Sequence, residues 1–198
     1  MSISTATIPL PMRAGLWVVA SYLGLYVFLD WVSYVYPFGP LGITPWNPPP
    51  GLSMFVVLRY GASMAPWLWV AALAADFLVR DIAAPWGVQI LACGVLATGY
   101  ATAAVLLKGW LRFDPALSTL RDATAFAAIA SMAALVIGTA YVGTYVAFGT
   151  LGFDAFAATV GQFWIGDVIG IIVTLPVLLV LARPRTTPTT TSLMETGR

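Results

Sequence analysis

The chain has 198 residues, of which 60% are hydrophobic and only 9% are charged, and its mean hydropathy is +0.90. Soluble globular domains are nearer one quarter charged. This composition therefore excludes an ordinary water-soluble domain and indicates an integral membrane protein. The net charge of +1 offers no basic patch for nucleic acid, and the single cysteine excludes a disulfide framework.

Apolar runs along the chain predict where it crosses the bilayer. Residues 1–12 are uncharged and are followed by no cleavage site, so we expect residues 1–13 to form a cytoplasmic lead-in. A crossing needs about 20 residues, because roughly 30 Å of hydrocarbon is spanned at 1.5 Å per residue. The runs that meet this length without interruption are Ala14–Tyr36, Trp86–Leu107, Thr124–Phe148 and Thr159–Leu181.

The remaining apolar run, residues 51–80, is too long for one crossing and is broken near its middle by an arginine and a proline. We interpret it as a hairpin of two short helices, Pro50–Tyr60 and Ala65–Arg80, which turns at Gly61. The prolines before it suit the first turn of a helix. The sequence therefore predicts an all-α polytopic transmembrane bundle of six helices with a proline-broken hairpin.

The distribution of basic residues supports the hairpin and orients the bundle. Cytoplasmic loops are enriched in Lys and Arg, and the hairpin places all but one of the basic residues that decide the orientation on the cytoplasmic side, leaving Arg80 to face outward beside Asp81. The cytoplasmic residues are Arg13, Arg59, Lys108, Arg112, Arg121, Arg183 and Arg185. Both termini are then cytoplasmic, with a transmembrane domain over residues 14–182 and a disordered, threonine-rich tail or linker over residues 183–198.

Several polar residues fall at similar depth in the predicted spans, where a charge costs about 2.5–3.5 kcal/mol on insertion scales. Asp30, Asp76 and Asp167 lie in the outward-facing part of their helices, and the proline-rich segment before the hairpin enters at the same level. We predict an outward-facing polar pocket that binds a small-molecule ligand. Its predicted lining residues are Asp30, Trp46, Asn47, Asp76, Gln162, Trp164 and Asp167.

Each of these residues also has a structural interpretation. Trp46 and Trp164 are equally typical of the aromatic belt at a membrane interface. Asp30 suits a helix end among the lipid headgroups, and Asp76 could pair with Arg80 one turn later. Asp167 could make a structural hydrogen bond to a neighbouring helix, and the glycines on either side, at positions 166 and 170, predict close approach of another helix.

Two segments resemble the MASE1 family of integral-membrane sensory domains. The first is Pro45–Leu52 (Pro-Trp-Asn-Pro-Pro-Pro-Gly-Leu), followed by Gly61 and by Pro66 with its tryptophan; the second is Phe163–Gly170 (Phe-Trp-Ile-Gly-Asp-Val-Ile-Gly) with a later proline. The resemblance extends over roughly residues 13–181. It implies a signal-input domain of a bacterial histidine kinase or diguanylate cyclase system in the inner membrane, with a cytoplasmic output domain in cis or in trans and a possible homodimer.

The chain departs from that family where a cytoplasmic output domain would follow, because a threonine-rich tail stands there instead. We therefore expect either the front part of a longer receptor or a shortened relative, without kinase or cyclase activity of its own. No enzyme, cofactor or metal site is expected, since the chain contains no histidine, Cys93 has no evident base and the aspartates are scattered.

Two other functions remain open from the sequence. Six helices with both ends inside also resemble the substrate-binding subunits of energy-coupling-factor vitamin transporters. Such a subunit captures a small molecule from outside and would co-purify with a transmembrane coupling protein and ATPases. A structural assembly factor without any ligand is the third possibility.

Overall fold

The computed structural model describes residues 12–39, 41–110 and 119–182. Within these ranges the chain forms six α-helices and no strand. They are α1 (Met12–Ser33), α2 (Pro49–Tyr60), α3 (Ala65–Ala75), α4 (Trp86–Trp110), α5 (Leu120–Ala147) and α6 (Phe156–Leu181). The predicted all-α bundle is confirmed. The predicted tail and all but the end of the lead-in lie outside the described residues.

Prolines and glycines set the boundaries of the predicted hairpin, which is confirmed. Pro49 and Pro50 occupy the first turn of α2, where a missing N–H costs nothing. Gly61 ends α2 with φ of 97°, a conformation that side chains with a Cβ rarely adopt, and a short 3₁₀ turn then leads into α3. The hairpin therefore turns at the residue that the sequence indicates.

The end of α3 departs from a regular α-helix. Residues Asp76–Arg80 form a single π-helical turn, and Asp81 ends it in the left-handed conformation with φ of 45°. Turns of this kind are rare and are found frequently at functional sites. The wider turn directs Asp76 and Arg80 into the bundle, while Phe77 and Leu78 remain exposed on its outside.

Five of the helical segments are long and apolar enough to cross a membrane, whereas α2 is not. With 12 residues, α2 extends only about 18 Å. The non-helical segment Thr44–Pro48, which we name the extended segment, precedes it and lies beside α6, where the backbone N–H of Asn47 donates to the Gly166 carbonyl at 3.0 Å. The second of the six predicted crossings therefore corresponds to a non-helical segment and a short helix, and six crossings remain a prediction.

The direction of the helices defines two ends of the bundle. Asp30, near the end of α1, contacts Arg80 at the end of α3, and Gln89 in the first turn of α4 donates to the Ile82 carbonyl at 2.8 Å. We call this the distal end. Because successive helices reverse direction, Met12 and Leu181 both lie at the opposite, proximal end, where Lys108 of α4 also meets the end of α2.

Small side chains let the helices approach closely, as is usual in membranes. Ala71, Ala92, Ala104, Ala130 and Ala134 are almost fully buried in the interior. Large apolar side chains instead cover the outside of the described bundle, as expected of a surface solvated by lipid. Examples are Trp17, Phe28, Leu106, Val136 and Ile169, each more than 40% exposed.

Candidate functional site

A buried ion pair stands at the distal end of the bundle. The Arg80 guanidinium donates to the Asp30 carboxylate from Nε, at 3.2 Å and 3.1 Å to its two oxygens, and from Nη2 at 2.5 Å. The Asp30 side chain is only 1% exposed and that of Arg80 is 9% exposed. A planar guanidinium that meets a carboxylate in this way gives directional as well as charge complementarity. This pair joins α1 to the π-helical turn after α3.

A chain of hydrogen bonds continues from the ion pair to the middle of the bundle. Arg80 Nη2 lies 3.5 Å from Asn47 Oδ1, and Asn47 Nδ2 donates to Asp167 Oδ1 at 2.6 Å. The second Asp167 oxygen accepts from the Tyr100 hydroxyl. We call Asp30, Arg80, Asn47, Asp167 and Tyr100 the polar network. It connects α1, the π turn, the extended segment, α6 and α4.

Asp76 forms a separate branch beside this network. One of its oxygens accepts from the Cys93 thiol at 3.3 Å. Asp76 is 5% exposed and Cys93 is fully buried. Among the described residues Asp76 has no ion-pair partner, because the salt bridge of Arg80 goes to Asp30. With this one hydrogen bond, Asp76 has fewer partners than Asp167 or Asp30, and a buried carboxylate with few partners is costly.

A small cavity lies between the polar network and Asp76. Its volume is about 20 Å³, enough for roughly one water molecule. It is lined by residues from all six helices, from the π turn and from the extended segment, including Tyr26, Asp30, Asn47, Asp76, Arg80 and Asp167. We call it the inner cavity. A water-sized space therefore lies beside charged side chains in the interior of the bundle.

Two glycines of α6 make room for the segment that carries Asn47. A Cβ atom added at Gly166 would collide with the Thr44 carbonyl, and one added at Gly170 would overlap the carbonyl of Asn47 itself. The sequence predicts that these glycines let another helix approach. The partner is instead extended backbone, whose free polar groups are acceptable at membrane depth because protein covers them.

Some predicted pocket residues converge on the inner cavity and others do not. Asn47, Asp76 and Asp167 line it, together with Asp30. Trp46, Gln162 and Trp164 are not among its lining residues. Trp46 is 39% exposed and Gln162 is half-buried.

Trp164 faces α5 rather than the cavity. Its indole N–H donates to Ser131, at 3.0 Å to the carbonyl and 3.2 Å to the hydroxyl oxygen. This contact ties α6 to α5, whereas Asp167, three residues later, contacts Asn47 and Tyr100. Trp164 and Asp167 therefore make two different contacts of α6, although both belong to the same sequence motif.

Two expectations about charged residues are wrong. Asp30 does not lie among lipid headgroups, since it is buried and ion-paired. Arg80 does not pair with Asp76, because its side chain reaches 50 residues back in sequence to Asp30; the residue itself lies at the distal end, opposite the end that holds Met12 and Leu181. Asp167 also lies deeper than expected, because α6 begins at Phe156, three residues before the predicted start, and places the aspartate near the helix middle.

The sequence interpretation missed several residues of the site. Arg80, Tyr100, Tyr26 and Tyr141 all line the inner cavity, and Cys93 contacts Asp76. One sequence feature could have indicated Tyr100 as a site residue. It is a tyrosine, with a polar hydroxyl group, in the middle of an otherwise apolar span. In the part of the chain that the structure describes, no group of three or more carboxylate or thiol side chains is arranged to hold a metal ion.

The comparisons with known proteins identify the family. A sequence model of the MASE1 family matches residues 13–196, which is nearly the whole chain. The chain belongs to the MASE1 family. No curated protein and no solved structure matches it significantly. The family match extends 15 residues beyond Leu181, the end of the resemblance found from the two motifs.

Membership places the bundle among membrane-associated sensory domains, which are not catalytic and which occur in signalling proteins with cytoplasmic output domains. The chain is therefore a multi-pass membrane domain with a sensory input role. The family does not by itself assign a stimulus to the polar network.

Proposed function

We propose that this chain is the input domain of a bacterial histidine kinase or diguanylate cyclase system, and that it detects a small polar molecule, or a change in the membrane, at the polar network. One observation carries the proposal. A single set of hydrogen bonds and one ion pair joins five chain elements around a cavity inside an otherwise apolar bundle. A ligand that forms or breaks one of these bonds acts on several helices at once.

Stability alone does not account for these residues. A buried ion pair often contributes no more than well-packed apolar side chains of similar volume would. An ionisable residue inside a membrane is costly and is by default a candidate for function. Four such side chains border the inner cavity, three carboxylates and one guanidinium. Their presence around one cavity favours a role that depends on charge.

The route from the network to an output domain runs along α6. Asp167 lies near the middle of this helix, and Pro176 lies between it and the proximal end. Proline removes one backbone hydrogen bond and makes a helix easier to bend. A change at Asp167 would therefore alter the direction in which α6 leaves the bundle towards a cytoplasmic output domain, in cis or in trans, or towards a second copy of this chain.

A fusion to an output domain tests the proposal. The chain is joined after Arg198 to a diguanylate cyclase domain, and cyclic di-GMP is measured in cells across a panel of growth conditions. We expect the wild-type fusion to respond to some condition and Asp167→Asn to respond weakly or not at all. Trp164→Phe, which changes the contact of the same helix with Ser131 of α5 and not the polar network, is the matched control and should respond like the wild type.

Two results would contradict the proposal. One is an Asp167→Asn fusion that reaches the membrane at wild-type abundance and responds over the full wild-type range. The other is co-purification of the native chain with a transmembrane coupling protein and ATPases, without any effect of the network on output. The second result would instead assign the chain to transport.

A further inference from the structure

A second, larger cavity opens at the distal end of the bundle, next to the inner cavity. Its volume is about 450 Å³, within the range of small-molecule sites. It lies between the π turn and the start of α4, and its lining includes Asp76, Phe77, Asp81, Trp86 and Gln89. We call it the vestibule. Asp76 lines both cavities, so it stands at the boundary between the vestibule and the polar network.

The polar side chains of the vestibule offer hydrogen-bond acceptors. Asp76 and Asp81 supply carboxylates, and neither lysine nor arginine is among the lining residues. Both donors of the Gln89 amide are already used, at 2.8 Å to the carbonyls of Ile82 and Ala84, so only its oxygen remains. A ligand that fits this chemistry brings N–H donors and positive charge.

Asp76 can accept further hydrogen bonds at the inner side of the vestibule. One of its carboxylate oxygens accepts from the Cys93 thiol at 3.3 Å, and its other oxygen has no protein partner among the described residues. No buried side-chain nitrogen or oxygen of the described residues lacks a hydrogen-bond partner, so this second oxygen is open to the cavity rather than sealed in the interior. A ligand that donates hydrogen bonds can therefore reach it.

The vestibule also has an aromatic wall. The rings of Phe77 and Trp86 lie 5.7 Å apart between centroids with an angle of 37° between their planes. Both residues are more than 60% exposed. A cation beside a tryptophan face is attracted by the negative charge density of the ring. A carboxylate at the bottom and an aromatic side wall together form a site for an ammonium group with a short carbon chain.

We propose that the vestibule binds a small water-soluble primary amine, whose ammonium group pairs with Asp76 and whose carbon chain lies against Trp86. A primary ammonium suits the site better than a quaternary one, because only the primary ion carries N–H donors for the oxygens of Asp76 and Gln89. The claim that such an amine is the stimulus rests on the proposed function, whereas the claim that the vestibule binds an amine does not.

The test uses the full chain in phosphatidylcholine nanodiscs and measures binding by calorimetry. The probe is 1,4-diaminobutane, and 1,4-butanediol is its uncharged analogue of similar shape. We expect saturable binding of the diamine and none of the diol. Asp76→Asn should weaken binding roughly tenfold or more, since a charge-assisted hydrogen bond is lost. Asp154→Asn, an exposed aspartate outside the vestibule, should bind like the wild type.

A second variant keeps the test valid if Asp76→Asn does not fold. Trp86→Leu changes an exposed side chain, and the loss of the aromatic face should weaken binding about two- to fivefold. Equal affinity of the wild type and both variants for the diamine would overturn the proposal. Binding of the diol with the affinity of the diamine would overturn it as well.

Further outcomes distinguish other sources of the cation. In one further experiment, sodium chloride is exchanged for choline chloride at constant ionic strength. If calorimetry then detects binding of sodium ions but no binding of the diamine, the amine proposal is overturned in favour of a metal ion. If the cyclase fusion responds only when phosphatidylethanolamine is present in the membrane, and the diamine does not bind, the free amine is overturned as the ligand in favour of a lipid headgroup. Diamine binding without a response of the cyclase fusion would support the site and contradict the amine as the stimulus, whereas a fusion that responds to no condition would contradict the proposed function, so the two proposals fail separately.

Discussion

Separating Arg80 from Asp30 should destabilise the bundle strongly, and replacing both together should not. The two side chains are 9% and 1% exposed and are joined by contacts of 2.5–3.2 Å. Removing one member of a buried pair costs about 3–5 kcal/mol, because the other charge stays buried and unpaired. We therefore expect Arg80→Met and Asp30→Leu each to lower the free energy of unfolding by about 3–5 kcal/mol.

The double variant Asp30→Leu/Arg80→Met should lie within about 1–2 kcal/mol of the wild type, since apolar replacement of a buried pair is often neutral. The coupling energy between the two positions is then at least about 4 kcal/mol, taken as the sum of the two single effects minus that of the double variant. An exposed pair would instead give about 0–1 kcal/mol. The size of the coupling therefore reports whether the pair is buried.

Equilibrium unfolding by sodium dodecyl sulfate in mixed micelles, followed by circular dichroism, measures these free energies. Arg59→Met is the matched control, because Arg59 is exposed beyond the middle of α2 near its proximal end. It should change stability by less than about 0.5 kcal/mol. Single variants that each cost under about 1 kcal/mol, or effects that simply add, would refute the ion pair as described.

Other positions give independent predictions. Gly170→Ala should lower the free energy of unfolding by about 1–3 kcal/mol or more in the same titration, because a Cβ atom there would overlap the Asn47 carbonyl. Gly161→Ala is its control and should be neutral or stabilising, because no atom lies within 4 Å of the added Cβ. Equal effects of the two substitutions would contradict the close packing at Gly170. Trp164→Phe should cost about 1 kcal/mol through its lost bonds to Ser131 while leaving diamine affinity unchanged, and a weaker affinity would place this side chain in the site after all. Cys93 is fully buried, so it should react with a maleimide only after unfolding; rapid labelling of the native protein would show that the interior beside Asp76 is open.

The fold was predicted well because it depends on local properties of the sequence. These are the lengths of the apolar runs and the positions of the prolines and glycines that begin or end helices. Each predicted span has its helix, and the hairpin turns at Gly61 as expected. The ends differ by a few residues, for example at α5, which begins at Leu120 because the Thr119 side chain caps it by accepting from the Asp122 N–H. Such caps lie outside the apolar run that marks the crossing.

The candidate site could be predicted only in part, because hydropathy gives depth but not the rotation of a helix. The spans are apolar on nearly all faces, so nothing local shows that Asp167 turns inward and Trp164 turns towards α5. The deciding contacts join positions 50, 67 and 120 residues apart in the chain. The direction of the Arg80 side chain was not predicted for the same reason, since the basic-residue rule assigns a residue to one end of the bundle and says nothing about where its side chain points.

The π turn was a further feature that no sequence pattern indicated. Residues 76–80 continue the apolar run of α3, and their pattern is compatible with an ordinary helix. The wider turn is what brings Asp76 to the vestibule and Arg80 to Asp30. Three of the four charged side chains at the inner cavity, and Asn47, could therefore be proposed from the sequence, while the contacts that Arg80, Tyr100 and Cys93 make with them could not.

The most direct test of a sensory role for the polar network separates signalling from stability. The double variant Asp30→Leu/Arg80→Met is introduced into the cyclase fusion, and cyclic di-GMP is measured under conditions to which the wild type responds. We predict a folded protein, with wild-type membrane abundance, whose output no longer changes with condition. A double variant that is equally abundant and responds over the full wild-type range would contradict the assignment of the network as the sensory site.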